Sequence, residues 1–315
     1  MVSCRLVSTV LVPCAALILS SVVPSANADA NSLNDNLGPR EISVGESSRA
    51  DARGGKAATL NPAGLVLSRA LVFEGSFGHR TGDGANAVGV SACDSTNAAP
   101  GCFYYRYFKA APEIDTMSFS RRSHEVGYVV AKRLSPNISL GATTRYFDYN
   151  TDMTGEETTS GFSFDMGAIV TLQSFNIALV GYNLWGDDSA QYPMGLGTGI
   201  STRLMSSLSM SADAVWNLDT PDGESSGRYG GGLEYFVQTA NRANGYPLRG
   251  GVVYDSALKG TYVTGGLGFA SVKMGLDVGL RKQVKGGDEL MVLASLRIFG
   301  PRMAPKAKRR RLRGF

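Results

Sequence analysis

The chain has 315 residues, a formal net charge of +4 and only two histidines. Its mean hydropathy is −0.05, and beyond the N-terminus no stretch supplies the roughly 20 consecutive apolar residues of a membrane helix. A helical membrane bundle is thereby excluded, and neither a phosphate-binding loop nor metal-ligand spacing is present.

The N-terminus reads as a secretory signal. Arg5 supplies the positive charge, residues 6–23 are mostly apolar, and Ala26-Asn27-Ala28 is an A-x-A-like cleavage site. Cleavage after Ala28 is expected, giving a signal peptide at 1–28. Pro13 and the serine-rich end argue against an uncleaved anchor, and Pro13 before Cys14 argues against a lipoprotein site. After cleavage two cysteines remain, Cys93 and Cys102, which are expected to pair in an oxidising compartment and close a short loop. Two thiols without a nearby His or Asp cluster do not complete a zinc site, so no metal or cofactor is expected. Residues 29–64 are polar and poor in strand pattern.

From about residue 124 onward, runs of about ten residues alternate apolar with small or polar side chains. Val272, Met274, Leu276, Val278 and Leu280 fall on one side; Lys273, Gly275, Asp277, Gly279 and Arg281 fall on the other. Period two is a β-strand with two unlike faces. Twelve strands are predicted: 67–80, 123–134, 137–148, 160–172, 174–184, 192–203, 206–217, 227–238, 246–255, 260–270, 272–283 and 288–299. Pairing 103–108 with 117–121 as an extra hairpin would make fourteen; otherwise 81–122 is one long external loop. Very short turns (135–136, 173–174, 205, 271) alternate with longer polar loops (149–159, 185–191, 218–226, 284–287). The connection 239–245 breaks that alternation. Alternating turn lengths, two-faced strands and an export signal are the signature of an antiparallel up-and-down β-barrel in a bacterial outer membrane, over 65–299, with both termini periplasmic.

The faces support that placement. Phe162, Phe164, Met166, Ala168 and Val170 share one side of a strand, as do Leu208, Met210, Ala212, Ala214 and Trp216; these suit lipid. The opposite faces carry Asp165, Arg203, Asp213, Arg228, Glu234, Arg249, Asp277 and Arg281, with glycines such as Gly197, Gly199, Gly230 and Gly232. Charges of both signs can pair across a narrow lumen, and glycine there leaves room for a plug or ligand. A soluble β-sandwich would also alternate. Aromatic residues near strand ends, among them Tyr146, Trp185, Trp216, Tyr254 and Phe299, instead match a girdle at the lipid interface.

Ahead of the first strand stands Arg53-Gly54-Gly55-Lys56-Ala57-Ala58-Thr59-Leu60-Asn61-Pro62-Ala63-Gly64-Leu65. Gly-Gly-x-Ala followed by Asn-Pro-Ala-Gly-Leu resembles the FadL-type family of outer-membrane transporters for fatty acids and other hydrophobic compounds. It is equally similar to the PorV-like branch of that superfamily, which serves protein secretion. Residues 180–186, 230–235 and 247–255 fit the same relationship. The resemblance implies that 29–64 is a small hatch folded inside the barrel, with Asn61, Pro62 and Ala63 as its motif. Asn61-Pro62 is read as a turn that ends the hatch and starts the first strand. The spacer between Gly55 and Asn61 is shorter than that family usually has.

Two function classes follow. A FadL-like barrel would pass hydrophobic or amphipathic small molecules without energy input, and an inward arginine would pair with a carboxylate head group; parity nominates Arg145, Arg203, Arg228 and Arg249. A PorV-like adaptor would hold secreted proteins, and a purely structural barrel is a third reading. Membrane lipid, the barrel-assembly machinery, a hydrophobic ligand and, for the adaptor, secreted proteins are the expected partners. Residues 300–315 form a basic tail, with Arg302, Lys306 and Arg309 to Arg311 among its charges, suited to anionic lipid headgroups or cell-wall polymers. The export signal disfavours nucleic acid. Enzymatic activity is not expected: Ser123-His124-Glu125 has the letters of a triad, but adjacent strand residues point to opposite faces, and no nucleophile-elbow motif is present.

Overall fold

The computed structural model describes residues 38–114, 117–153, 156–186, 192–218, 226–239 and 244–300. The expected signal peptide, the first residues of 29–64 and the basic tail lie outside the described residues.

The strands are β1 (Leu71–Arg80), β2 (Ala85–Asp94), β3 (Gly101–Ala110), β4 (Glu113–Ile114), β5 (Met117–Ser118), β6 (Arg121–Arg133), β7 (Ile138–Thr151), β8 (Thr159–Thr171), β9 (Phe175–Gly186), β10 (Gly195–Arg203), β11 (Leu208–Asn217), β12 (Ser226–Gln238), β13 (Asn244–Asp255), β14 (Gly260–Ser271), β15 (Met274–Lys285) and β16 (Leu290–Phe299). All but β4 and β5 form one closed antiparallel barrel of fourteen strands, sealed by β1 against β16. Closure leaves no sheet edge with unpaired backbone, the condition for standing in lipid.

The count is thus fourteen, the larger of the two counts that the sequence allows, although the added hairpin is a different one. β3 pairs with β2 and with β6, and of 117–121 only Arg121 meets it, opposite Ala110. In β2 the outward residues Val88, Val90 and Ala92 alternate with the inward Ala87, Gly89 and Ser91, so small residues on both sides left the alternation faint. The predicted partner is not a barrel strand: Met117 and Ser118 form only a small hairpin with Glu113 and Ile114, just after Pro112, which has no amide to donate to a ladder. Cys93 and Cys102 stand directly opposite each other in β2 and β3 and are bonded as a disulfide.

The outward face is apolar, with Phe73, Phe103, Phe162, Leu179, Leu233, Val252 and Leu276 exposed. The inward face is largely buried although polar: Glu74, Arg106, Glu125, Arg145, Asp165, Asp277 and Arg281 are all covered. That inversion of the usual rule suits a barrel with lipid outside and a filled lumen. β1 begins and β16 ends at one rim, where Gly300 N–H donates to Leu71 O at 2.8 Å; we call it the terminal rim and the other the distal rim. The longest intervals between barrel strands, which follow Ala110, Gly186 and Asn217, all leave from distal strand ends. The exceptional 239–245 shortens, because Asn244 already belongs to β13 and its carbonyl accepts from Thr239 N–H at 3.1 Å.

Residues 38–70 fill the lumen. They contain α1 (Pro39–Ser43), a 3-10 turn (Gly54–Lys56), α2 (Ala57–Leu60) and a 3-10 helix (Pro62–Leu67). The first strand therefore starts at Leu71, later than the predicted 67, and Asn61-Pro62 begins a short helix rather than a strand. Pro62 occupies the first helical position, where a missing amide costs nothing. Leu65 and Val66 point into a buried cluster with Tyr104, Val129 and Ala131. A short apolar run buried on every side does not announce its period.

Candidate functional site

The lumen segment is gripped on two walls. On β7, β8 and β9 the grip centres on Asn61, which is fully buried. Its Oδ1 accepts from Ala63 N–H at 3.1 Å; its Nδ2 donates to Arg49 O at 3.1 Å and to Ala168 O of β8 at 3.2 Å. Thr143 of β7 donates to Ala58 O at 3.0 Å, and Tyr182 of β9 donates to Leu60 O at 2.6 Å. The motif fits because the wall is dimpled: a side chain at Gly141 would overlap Pro62 and Ala63, and one at Gly167 would overlap Asn61.

On β11 to β15 the grip is the turn after α1. Gly45 and Glu46 have successive positive φ angles of 67° and 59°, and Gly45 packs where side chains at Gly230 or Gly251 would collide with it. Thr264 Oγ1 donates to Ser43 O and accepts from Gly45 N–H, both at 3.1 Å. The turn aims the Glu46 carboxylate at Arg228 (2.9 Å) and Arg281 (2.7 Å). Nearby, Ser47 and Ser211 hydroxyls are 2.9 Å apart.

Arg49 links the walls. Its Nε donates to Tyr182 Oη at 2.7 Å, while its backbone N–H and guanidinium reach Asp213 of β11 at 2.8 and 3.1 Å. Deeper in the lumen Arg40 binds Asp51 (2.6 Å) and Glu234 (3.2 Å). Burial disfavours the Arg40 charge, but Asp51, Glu234 and Glu41 outweigh it and raise its pKa well above the ordinary value.

Above this segment, toward the distal rim, lies a cavity of about 1240 Å³ including its solvent-open part. Arg106, Arg145, Arg228 and Arg281 line it, with Val215 and Leu258 beside them. Of the four nominated arginines, the structure brings Arg145 and Arg228 to this cavity. Arg249 sits outside it, bonded to Glu234 (2.7 Å) and Asp277 (2.6 Å). Arg203 is exposed at the terminal end of β10, so parity alone placed it with the wrong group. Arg145 is bonded to Asp165 and lies 3.7 Å from Glu125, which also binds Arg106 and accepts from Tyr104 Oη at 2.5 Å. The buried Nε–H groups of Arg106 and Arg145 still have no acceptor among the described residues.

Sequence reasoning missed Glu46 and Arg49, because the lumen segment has no period from which a facing direction could be read. Arg106 was available by parity but lay in the ambiguous 81–122 region. Ser123 and Glu125 are buried and inward, whereas His124 is outward and hydrogen-bonded to Tyr105 Oη at 2.8 Å. The three do not converge.

These features define a closed membrane barrel with an occupied lumen and an amphipathic distal cavity. Comparison with solved structures gives it relatives in fold. The toluene transporter TbuX of Ralstonia pickettii superposes with a TM-score of 0.60 at 13% identity, over 84% of this chain and 98% of that one. The toluene transporter TodX of Pseudomonas putida gives 0.62 at 11%, over 84% and 97%. A FadL homologue of Pseudomonas aeruginosa gives 0.58 at 10%, over 82% and 97%. The fold is thus that of the FadL-type barrels. No family model matches the sequence, and no curated protein matches it.

Proposed function

We propose that the protein is an outer-membrane channel for passive passage of hydrophobic or amphipathic small molecules, with residues 38–70 as its hatch. The termini and terminal rim face the periplasm, and the distal cavity faces outward. The toluene transporters and the FadL homologue that share the fold support transport as the activity. The observation that carries the reading is the pairing of a lumen closed by its own N-terminal segment with an amphipathic cavity directly above it.

Apolar side chains such as Val215 and Leu258 shed water from a hydrocarbon tail. The arginines favour a carboxylate head: a guanidinium has five N–H donors in a fixed fork, and Arg106, Arg145, Arg228 and Arg281 all line the one cavity. An amphipathic acid, with a fatty acid as the simplest case, suits the cavity better than a bare hydrocarbon.

The test is entry of radiolabelled tracers into proteoliposomes. A medium-chain fatty acid is expected to enter faster through wild type than through Arg145→Gln, while entry of an uncharged aromatic hydrocarbon stays equal in both. No protein-dependent entry of either tracer would refute the channel; equal fatty-acid entry through both proteins would refute the carboxylate role.

A further inference from the structure

On the outside of the barrel, Lys109 of β3 and Arg122 of β6 are directly opposed cross-strand neighbours, and both are exposed. Like charges in that relation repel. Among the described residues neither has an ion-pair partner. Of the nearby carboxylates, Asp83 is paired with Arg80, whereas Asp148, opposite His124, and Asp152 accept only from the neutral Asn150 Nδ2 (3.1 Å) and Ser120 N–H (2.6 Å), and neither forms an ion pair with Lys109 or Arg122. Lys282, an outward cation elsewhere on the same rim, is instead neutralised by Asp288.

Below the two cations the same strands present a graded surface. Tyr107 and His124 are the next opposed pair, with ring centroids 4.9 Å apart. Next come Tyr105 and Val126, then Phe103 and Tyr128. From the rim inward the face therefore runs from cationic through polar-aromatic to apolar, the order of a lipid from headgroup phosphate to acyl chain.

We propose that Lys109 and Arg122 form a binding site for the phosphate of an outer-leaflet glycolipid, whose acyl chains lie along Phe103 and Tyr128. Two adjacent cations match a phosphate monoester in charge and in donor number. The site rests on the distal rim facing outward, as in the function proposed above. It is separate from the lumen, so its loss leaves tracer entry unchanged.

The experiment is native mass spectrometry of the full chain in mild detergent. It is titrated with a bis-phosphorylated, acylated diglucosamine lipid, with the same lipid dephosphorylated, and with phosphatidylglycerol. Wild type is expected to prefer the bis-phosphorylated lipid. Lys109→Gln with Arg122→Gln should weaken that binding roughly thirtyfold, the combined effect of two surface cations. Lys109→Glu, which lets the two strands pair their own charges, should remove the preference while the barrel stays folded. Lys282→Gln should bind as wild type does. Unchanged binding in the Lys109 and Arg122 variants, equal binding of the dephosphorylated lipid, or a preference for phosphatidylglycerol would each overturn the site. The proteoliposome tracer assay reads the channel independently of all these outcomes.

Discussion

The lumen segment is held by two walls that work differently. Against β7, β8 and β9 the contacts are neutral: Asn61, Thr143 and Tyr182 trade hydrogen bonds with backbone, and glycines 141 and 167 remove every atom that would stand in the way. Against β11 to β15 the decisive contact is ionic, from Glu46 to Arg228 and Arg281, at the floor of the distal cavity. A neutral, fully buried grip offers an incoming anion nothing to exchange with. A carboxylate on two cavity-lining arginines can be exchanged for the carboxylate of a ligand. In the channel proposed above, the first wall would serve as an anchor and the second as a latch that an amphipathic acid could open.

The largest loss is expected where both walls share one residue. Arg49→Ala removes the partner of the buried Asp213 and the donor to Tyr182, costing about 4 kcal/mol; a lowered midpoint in detergent denaturation, followed by tryptophan fluorescence, would register it. An unchanged midpoint would mean that Arg49 links nothing.

Next comes the anchor. Gly167→Leu drives a side chain into Asn61 and should cost about 3 kcal/mol. The barrel should still migrate as a folded band on unheated gels, while residues 38–64 become open to protease. Protease resistance equal to wild type would show that the anchor does not depend on the dimple.

The latch should give a smaller loss. Glu46→Gln weakens two charged hydrogen bonds, worth about 2 kcal/mol, because Arg281 keeps Glu289 at 2.7 Å and Asp255 lies 3.9 Å from Arg228. Its effect on function should be larger than its effect on stability: tracer entry rises and its dependence on a carboxylate head falls. If Glu46→Gln instead slows fatty-acid entry and leaves proteolysis unchanged, the latch is disproved.

The barrel was legible because lipid on one side and a polar lumen on the other impose period two on strands such as Val272 to Arg281. The lipid faces of β8 and β11 follow directly from it. Legibility failed where that contrast fades: in β2 both faces carry small residues, and Leu65 and Val66 are buried in every direction. The Asn61 motif was visible through family resemblance and its local turn with it, yet its docking on the wall was not, since that depends on glycines 80 and more residues away. Arg145 could be placed by parity, but its carboxylate partners Asp165 and Glu125 sit on neighbouring strands whose register no single run encodes. Glu46 had no signal at all, because two left-handed residues in a loop aim it.

The most direct test of hatch opening is a removable lock. Ser47 and Ser211 are already in contact across the latch wall, so Ser47→Cys with Ser211→Cys, made with Cys93 and Cys102 replaced by serine, should form a disulfide between segment and barrel. Fatty-acid entry into proteoliposomes is expected to stop in the oxidised protein and return on reduction, with the serine-only protein indifferent to either treatment. Equal entry through the oxidised and reduced forms would contradict it.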